Sequence, residues 1–259
     1  MLGAIAGDII GSPYEFYNCK SVSFPLFCHE SRLTDDSTLT FAIADAFMNK
    51  KDYAVTLKEY AKKHPLAGYG GSFIQWVDGE SMLPYNSWGN GSAMRVSSIG
   101  WLCNTLDEVL LEAKKSAEVT HNHSEGIKGA QAIASSIFLA RIGKTKEEIK
   151  NFVTVAFGYN LNRTLDEIRP TYKFDVSCQG SVPEAIIAFL ESENFEHCIR
   201  KAVSIGGDSG TIAAMAGGIS EAFYKNIPEE ITTKVYGMIV KDADFCRVFM
   251  QFYDMIKKV

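Results

Sequence analysis

The sequence predicts an all-α globule. Three observations carry that expectation. Apolar residues recur at helical spacing along nearly the whole chain, strand-like alternation with hairpin punctuation is scarcely visible, and no fixed-period repeat points to a solenoid. At ordinary helix and loop lengths such a chain holds on the order of a dozen helices.

Taken in order, Gly3-Ala4-Ile5-Ala6-Gly7-Asp8-Ile9-Ile10-Gly11 reads as a small, apolar helix with Gly11 as its stop, and Pro13 then holds a turn bearing Glu15. Asp8 lies inside this apolar run and must find donors if it is buried. Glu15, on a loop, is by pattern alone a solvated side chain. Ser21 to Phe27 is the one strand candidate and is read as loop. Leu33-Thr34-Asp35-Asp36-Ser37-Thr38 then places carboxylates and hydroxyls directly before Leu39, Ile43 and Phe47, a helical stripe.

Trp88-Gly89-Asn90-Gly91-Ser92-Ala93-Met94-Arg95 spells a tight turn ahead of a helical run. Its N–H groups suit phosphate or ribose oxygens, and equally an ordinary turn with an N-cap. Trp88 is expected to fill core, and Arg95 to tie helices together. Thr120-His121-Asn122-His123-Ser124 reads as a polar helix boundary capped by Ser124 or Asn122.

Further stripes are Leu106-Val109-Leu110-Ala113-Ala117, Ala130-Ile133-Ala134-Ile137-Phe138, Ile149-Phe152-Val153-Ala156 and Val182-Ala185-Ile186-Phe189. Ile231-Val235-Met238-Ile239 and Phe245-Val248-Phe249-Phe252-Ile256 complete the set. Between them Gly206-Gly207-Asp208-Ser209-Gly210-Thr211 repeats the earlier device, an acidic and hydroxyl cluster before Ile212, Ala216, Ile219 and Phe223. The small residues Ala213, Ala214, Ala216, Gly217 and Gly218 imply that a neighbouring backbone approaches this helix closely.

Both acidic clusters therefore sit at helix N-termini. Capping explains one Asp at each. If the fold brings the two ends together, the carboxylates repel unless something positive stands between them, and an oxygen-only ligand set favours Mg²⁺, Mn²⁺ or Ca²⁺ over zinc. On pattern alone both readings stand.

Composition narrows the class. Of 259 residues 46% are hydrophobic, enough for a substantial core, and no linker, low-complexity tract or charge block divides the chain, so one domain over 1–259 is expected. The net charge of −5 argues against a dedicated polyanion binder. The opening apolar run is too short to span a bilayer and lacks a basic leader. Six cysteines without a CxxC spacing read as reduced, mostly buried thiols of a cytoplasmic protein.

Set in order, these segments resemble the ADP-ribosylglycohydrolase family. The likeness covers nearly the whole chain and rests on GAIAGDIIGSPYE, TDDST, WGNGSAMRV, Thr120-His121, CQGSVPEAIIAFLE and GGDSGTIAAMAGGI. The resemblance implies an all-α fold with two divalent cations, Mg²⁺ or Mn²⁺, at the base of a cleft. It implies Thr34, Asp35, Asp36, Asp208 and Thr211 as metal ligands, with Glu15 on a mobile loop and Asp36 as the catalytic carboxylates. Asn90, Gly91 and Ser92 would cradle the diphosphate and ribose, His121 would contact ADP-ribose, and Gln179, Gly180 and Ser181 would help line the cleft.

The implied activity is hydrolysis of the glycosidic link between ADP-ribose and an acceptor, either a protein side chain or a small ADP-ribosyl compound. Membranes are not expected as partners, and nucleic acid would enter only as an ADP-ribosylated acceptor. One position departs from the family pattern: relatives carry an Asp ligand where this chain has Gly210. Fewer ligand charges weaken a cation site, so at least one metal is expected to bind less tightly and a Gly210→Asp reversion to raise turnover. The rival implication is an ADP-ribose-binding protein without efficient turnover.

Overall fold

The computed structural model describes residues 1–257 and is built from helices. In chain order these are α1 (Leu2–Gly11), α2 (Asp35–Asn49), α3 (Tyr53–Lys63), α4 (Gly71–Asp78), α5 (Ser97–Leu102), α6 (Leu106–Glu118) and α7 (Ser124–Arg141). There follow α8 (Lys146–Phe157), α9 (Leu165–Ile168), α10 (Cys178–Leu190), α11 (Phe195–Val203), α12 (Ser209–Tyr224), α13 (Glu229–Ile239) and α14 (Ala243–Ile256). Short 3₁₀ turns stand at Ser12–Tyr14 and Asn90–Ser92. Among the described residues the only β pairing is one isolated bridge, Gly89 with Ser177.

Helix starts follow side-chain chemistry. Thr34, Asp52, Thr105, Thr145, Thr164, Ser177, Asn194 and Asp242 each accept a backbone N–H of the first turn they precede. Each such cap contributes about 1 kcal/mol. At α7 the cap is His123, whose ring nitrogen accepts from the Glu125 N–H, while Asn122 accepts instead from the Asn86 N–H. The expected Ser124 or Asn122 cap is thus displaced by the histidine between them.

The centre of the molecule is α12, buried from Ser209 to Ala222. It packs on α1, α7, α10 and α11. A helix buried on all sides carries no polar stripe, which is why Ala, Gly and Ile fill this one. Its closest neighbour is α1. A side chain at Gly3 would stand 2.3 Å from the Gly217 carbonyl oxygen, one at Gly7 would stand 2.0 Å from that of Ala213, and one at Gly11 would stand 2.5 Å from that of Ser209. The four-residue spacing of Gly3, Gly7 and Gly11 puts all three on one helix face, so the two backbones meet directly. Gly11 is helical, with φ −79°, and is therefore required by contact rather than as a left-handed stop.

At the far end of this seam Glu221 accepts from the Gly3 N–H at 2.9 Å and from the Tyr253 hydroxyl at 2.7 Å. Trp88, expected in the core, is instead 54% exposed, with its ring edge-on to His123. All six cysteines are free thiols; Cys103, Cys178 and Cys198 are buried and Cys28 is exposed. No helix among the described residues is long and apolar enough to cross a membrane.

Candidate functional site

The site begins where α1 delivers Asp8 to the start of α2. Asp8 is fully buried and accepts the Thr34 N–H at 3.0 Å, the Thr34 hydroxyl at 2.6 Å, the Ser37 N–H at 3.2 Å and the Ser37 hydroxyl. It therefore caps α2 from outside, which answers how a carboxylate survives in an apolar helix. Burial pushes its pKa up, and the Ser37 and Thr34 bonds oppose that rise. Thr34 adds the usual cap by accepting the Asp36 N–H at 3.2 Å. With capping done by Thr34 and Asp8, the Asp35 and Asp36 carboxylates are free for other work.

The second acidic tip meets the first. Thr211, in the first turn of α12, donates its hydroxyl to Asp36 Oδ2 at 3.0 Å. Asp208, the N-cap residue of α12, makes no side-chain cap bond; Asn90 Nδ2 donates to its Oδ2 at 2.8 Å. A cleft of about 480 Å³ opens over this junction and is lined by Glu15, Asp35, Asp36, Asp208 and Thr211. Asn90, Gly91, Arg95 and His121 line it as well, with Phe73, Tyr85 and Phe174 supplying apolar wall.

Electrostatically these carboxyls are in conflict. Burial and then Asp208 and Asp8 push Glu15 up to about 8, with Arg32 the one opposing charge. Burial first, then the neighbouring acids, hold Asp35 and Asp36 well above the usual carboxylate range. Asp208 is raised by burial against the Asn90 bond. Asp36 Oδ1 is buried with no hydrogen-bond partner. Groups so perturbed in a cleft are candidates for function, because the stability lost there is kept for a ligand.

The donor chemistry fits a hard divalent cation: carboxylate and hydroxyl oxygens, one of them orphaned, on two helix tips. Asp35, Asp36, Asp208 and Thr211 are the residues that would hold it, with Glu15 alongside. Among the described residues no three Asp, Glu, His or Cys side chains already converge on one point, so ligation requires small side-chain movements.

The opposite character gathers around Arg95. This guanidinium is fully buried; its Nη2 donates to the Ser116 carbonyl at 2.9 Å and the Thr120 hydroxyl at 2.8 Å, while Nε and Nη1 have no partner. Arg95 thus ties the turn before α5 to the end of α6, and also lines the cleft. His121 Nδ1 lies 2.7 Å from the Thr120 hydroxyl oxygen. That oxygen already accepts from Arg95, and its one alternative acceptor, the Ala117 carbonyl, is 3.5 Å away. Thr120 therefore donates to Nδ1, which leaves Nε2–H as a donor on the side of Gly91. Burial and then Arg95 hold the His121 pKa well below its ordinary value, so the ring is neutral.

Thr34 is buried beside the carboxylates, its hydroxyl 3.4 Å from Asp36 Oδ2 while donating to Asp8. Other residues singled out in the sequence lie elsewhere. Ser92 is fully buried and donates to the Gly126 carbonyl at 2.7 Å, toward α7. Gln179 and Gly180 line a separate cavity of about 660 Å³ with Tyr159 and Glu184, and Ser181 is buried and bonds the Ser177 carbonyl. From that stretch the cleft receives Phe174 and Val176, which precede α10 and carry no motif. The Gly68-Tyr69-Gly70-Gly71 loop also reaches the cleft, through its three glycines. Its glycine density was the signal available in the sequence.

Compared with known protein families, residues 1–256 match ADP-ribosylglycohydrolase. Among curated proteins the chain is similar to ADP-ribosylhydrolase ARH3 of Homo sapiens, 25% identical over 313 residues that cover 88% of this chain and 86% of that protein. It is also similar to the ADP-ribosylarginine hydrolase Tri1 of Pseudomonas putida, 24% identical, covering 91% of this chain and 72% of that one. A solved structure described as an ADP-ribosylglycohydrolase-related protein complex superposes with a TM-score of 0.70 at 19% identity, covering 95% of this chain and 96% of that chain.

Proposed function

The chain belongs to the ADP-ribosylglycohydrolase family, and from that premise we propose that it hydrolyses the glycosidic link between ADP-ribose and an acceptor. The acceptor is an ADP-ribosylated protein side chain or a small ADP-ribosyl compound. What supports the reading is one arrangement: the tips of α2 and α12 joined through Thr211 and Asp36, in a cleft that also presents Arg95, His121 and the Gly89–Gly91 turn.

Mg²⁺ or Mn²⁺, held by Asp35, Asp36, Asp208 and Thr211, would supply Lewis acidity and a lowered water pKa beside the ribose hydroxyls. The chain's own groups do the rest. The Gly89 and Asn90 N–H groups are already used by Ser87 and the Val176 carbonyl, so the His121 Nε2–H beside Gly91 faces the diphosphate, and the buried Arg95 charge behind it favours an anion there. Asn90 fixes the rotamer of Asp208. Glu15, on the loop beside these groups, takes the proton from the water that attacks the anomeric carbon once bound cations offset the neighbouring carboxylates. The acceptor departs with the bonding electron pair as positive charge develops on the ribose, and takes up the proton that Glu15 returns through solvent.

Assay of Glu15→Gln and Asp208→Ala on ADP-ribosylated arginine and serine peptides tests this. Loss of a positioned base predicts a fall in kcat of roughly 10²–10⁴-fold for Glu15→Gln. Undiminished release of ADP-ribose by both variants would refute the proposal. The second reading, an ADP-ribose-binding protein without turnover, draws on Gly210 alone; it predicts tight ADP-ribose binding and no product at saturating Mg²⁺ or Mn²⁺.

A further inference from the structure

His121 meets the cleft with one edge of its ring. A Cβ at Gly91 would stand 3.2 Å from His121 Nε2, and one at Gly89 would stand 3.5 Å from it. A methyl at 91 would rest on that nitrogen, so the two glycines leave it bare to the cleft they line. The rest of the ring is enclosed. His121 is only 5% exposed, Tyr85 packs against it with ring centroids 6.0 Å apart, and a Cβ at Gly126 of α7 would stand 2.9 Å from His121 Cβ. The ring therefore keeps its place, and what can vary is which nitrogen carries the proton.

That choice is made two residues back, at Arg95. A guanidinium only donates. Arg95 Nη2 gives hydrogens to the Ser116 carbonyl at 2.9 Å and to the Thr120 hydroxyl oxygen at 2.8 Å. Thr120 is fully buried, so its own hydrogen must find an acceptor within the protein. The Ala117 carbonyl lies 3.5 Å from the hydroxyl and already accepts the Thr120 and His121 N–H groups at 3.1 and 2.7 Å. His121 Nδ1, at 2.7 Å, is the acceptor left. With the proton on Nδ1 instead, the Thr120 oxygen would accept twice and its hydrogen would be stranded. Donation thus runs one way, from Arg95 through Thr120 to the ring and out at Nε2–H.

We propose that Thr120 is a positioning residue for ligand binding: held by Arg95, it fixes the tautomer of His121, so that the cleft meets an N–H donor at this edge and never a lone pair. The selection that follows is chemical. An oxygen with free lone pairs, such as a phosphate oxygen, is accepted beside Gly91, and an N–H group is turned away. Arg95 gains a role that needs no contact with the ligand, because its charge polarises the hydroxyl and the ring in series. The inference deepens the hydrolase reading, which supplies a diphosphate as the ligand. The place of the proton on the ring does not depend on that reading.

The test uses the full chain with ¹⁵N-labelled histidine. Long-range ¹H–¹⁵N correlation spectra report which ring nitrogen carries the proton, and His121→Gln identifies the signals among the five histidines. Spectra and calorimetric titrations with ADP-ribose compare wild type, Thr120→Ser and Thr120→Val. Wild type and Thr120→Ser should show a bare Nδ1 and a proton on Nε2, and should bind ADP-ribose alike. Thr120→Val keeps the shape and removes the hydroxyl. Its ring should populate the Nδ1–H form, and ADP-ribose should bind about tenfold more weakly, as for one lost hydrogen bond to a charged group. In turnover the loss should fall on KM with kcat held, because the diphosphate is bound alike before and during reaction.

A proton on Nδ1 in wild type overturns the inference outright, and that measurement needs no variant to fold. A Thr120→Val protein that keeps the wild-type tautomer also overturns it, as does one whose tautomer shifts while ADP-ribose affinity is unchanged. Failure of wild type to release ADP-ribose from modified peptides would sink the hydrolase reading instead, and the spectra and titrations would still decide the inference.

Discussion

The middle and the site end of the α1–α12 seam use glycine in opposite ways. At Gly7 a methyl group would meet the Ala213 carbonyl oxygen at 2.0 Å and the Ala214 nitrogen at 2.6 Å, which are backbone atoms of a buried helix that cannot move aside. At Gly210 the same methyl would meet the tip of one glutamate. The first glycine holds two helices in contact. The second leaves room for a reactive group. Equal crowding thus has unequal cost, and the difference lies in whether the neighbour is rigid backbone or a mobile carboxyl.

The comparison is broken most directly at Gly7. Gly7→Ala should destabilise by roughly 3 kcal/mol, the upper range for overpacking, as read by urea unfolding. A Gly7→Ala variant as stable as wild type would mean the seam is looser than its spacing implies. A smaller effect is expected one residue on, at Asp8, where the seam joins the site. Asp8→Asn keeps one acceptor oxygen and presents an NH₂ to donors, so it should lose about 2 kcal/mol through unsatisfied α2 groups. Glu15→Gln, by contrast, should leave Tm unchanged below pH 4.5 and raise it toward pH 8 in EDTA, because the neutral amide has no charge to bury.

The third effect is a pH slope. In the metal-free protein Glu15 is raised from 4.5 to about 8. The native state therefore keeps a proton that the unfolded chain releases. Stability from this group is complete below pH 4.5 and is lost as pH rises through 8. Urea unfolding in EDTA between pH 5 and 8.5 should show that decline in wild type and a flatter profile in Glu15→Gln. Identical profiles would place Glu15 outside the acidic floor.

Helix periodicity made the class of fold legible, because most long helices carry one apolar stripe: α6, α7, α8, α10, α13 and α14 all lie where their stripes stand. The helices α3, α4, α9 and α11 went unmarked, although Asp52, Thr164 and Asn194 cap three of them. The two acidic tips were legible as N-termini, but their meeting was not, since Thr211 and Asp36 are far apart in sequence and only the α1–α12 seam brings them together. Asp8 was visible as an anomaly; that it caps α2 depends on tertiary contact. Gly3, Gly7 and Gly11 displayed the seam's spacing, while the small residues of α12 alone suggested a close neighbour without naming it. Phe174 and Val176 had no signal, because an apolar wall residue in a loop looks like any other.

The central claim is that two carboxylate-bearing helix tips form one cation-dependent site for ADP-ribose. Calorimetric titration of ADP-ribose into wild type and Asp208→Ala, each in Mg²⁺ and in EDTA, measures it directly. The account predicts that Mg²⁺ tightens binding at least tenfold in wild type, consistent with ligand-charge control of the cation, and has no effect in Asp208→Ala. Equal affinity in Mg²⁺ and EDTA for wild type would contradict it.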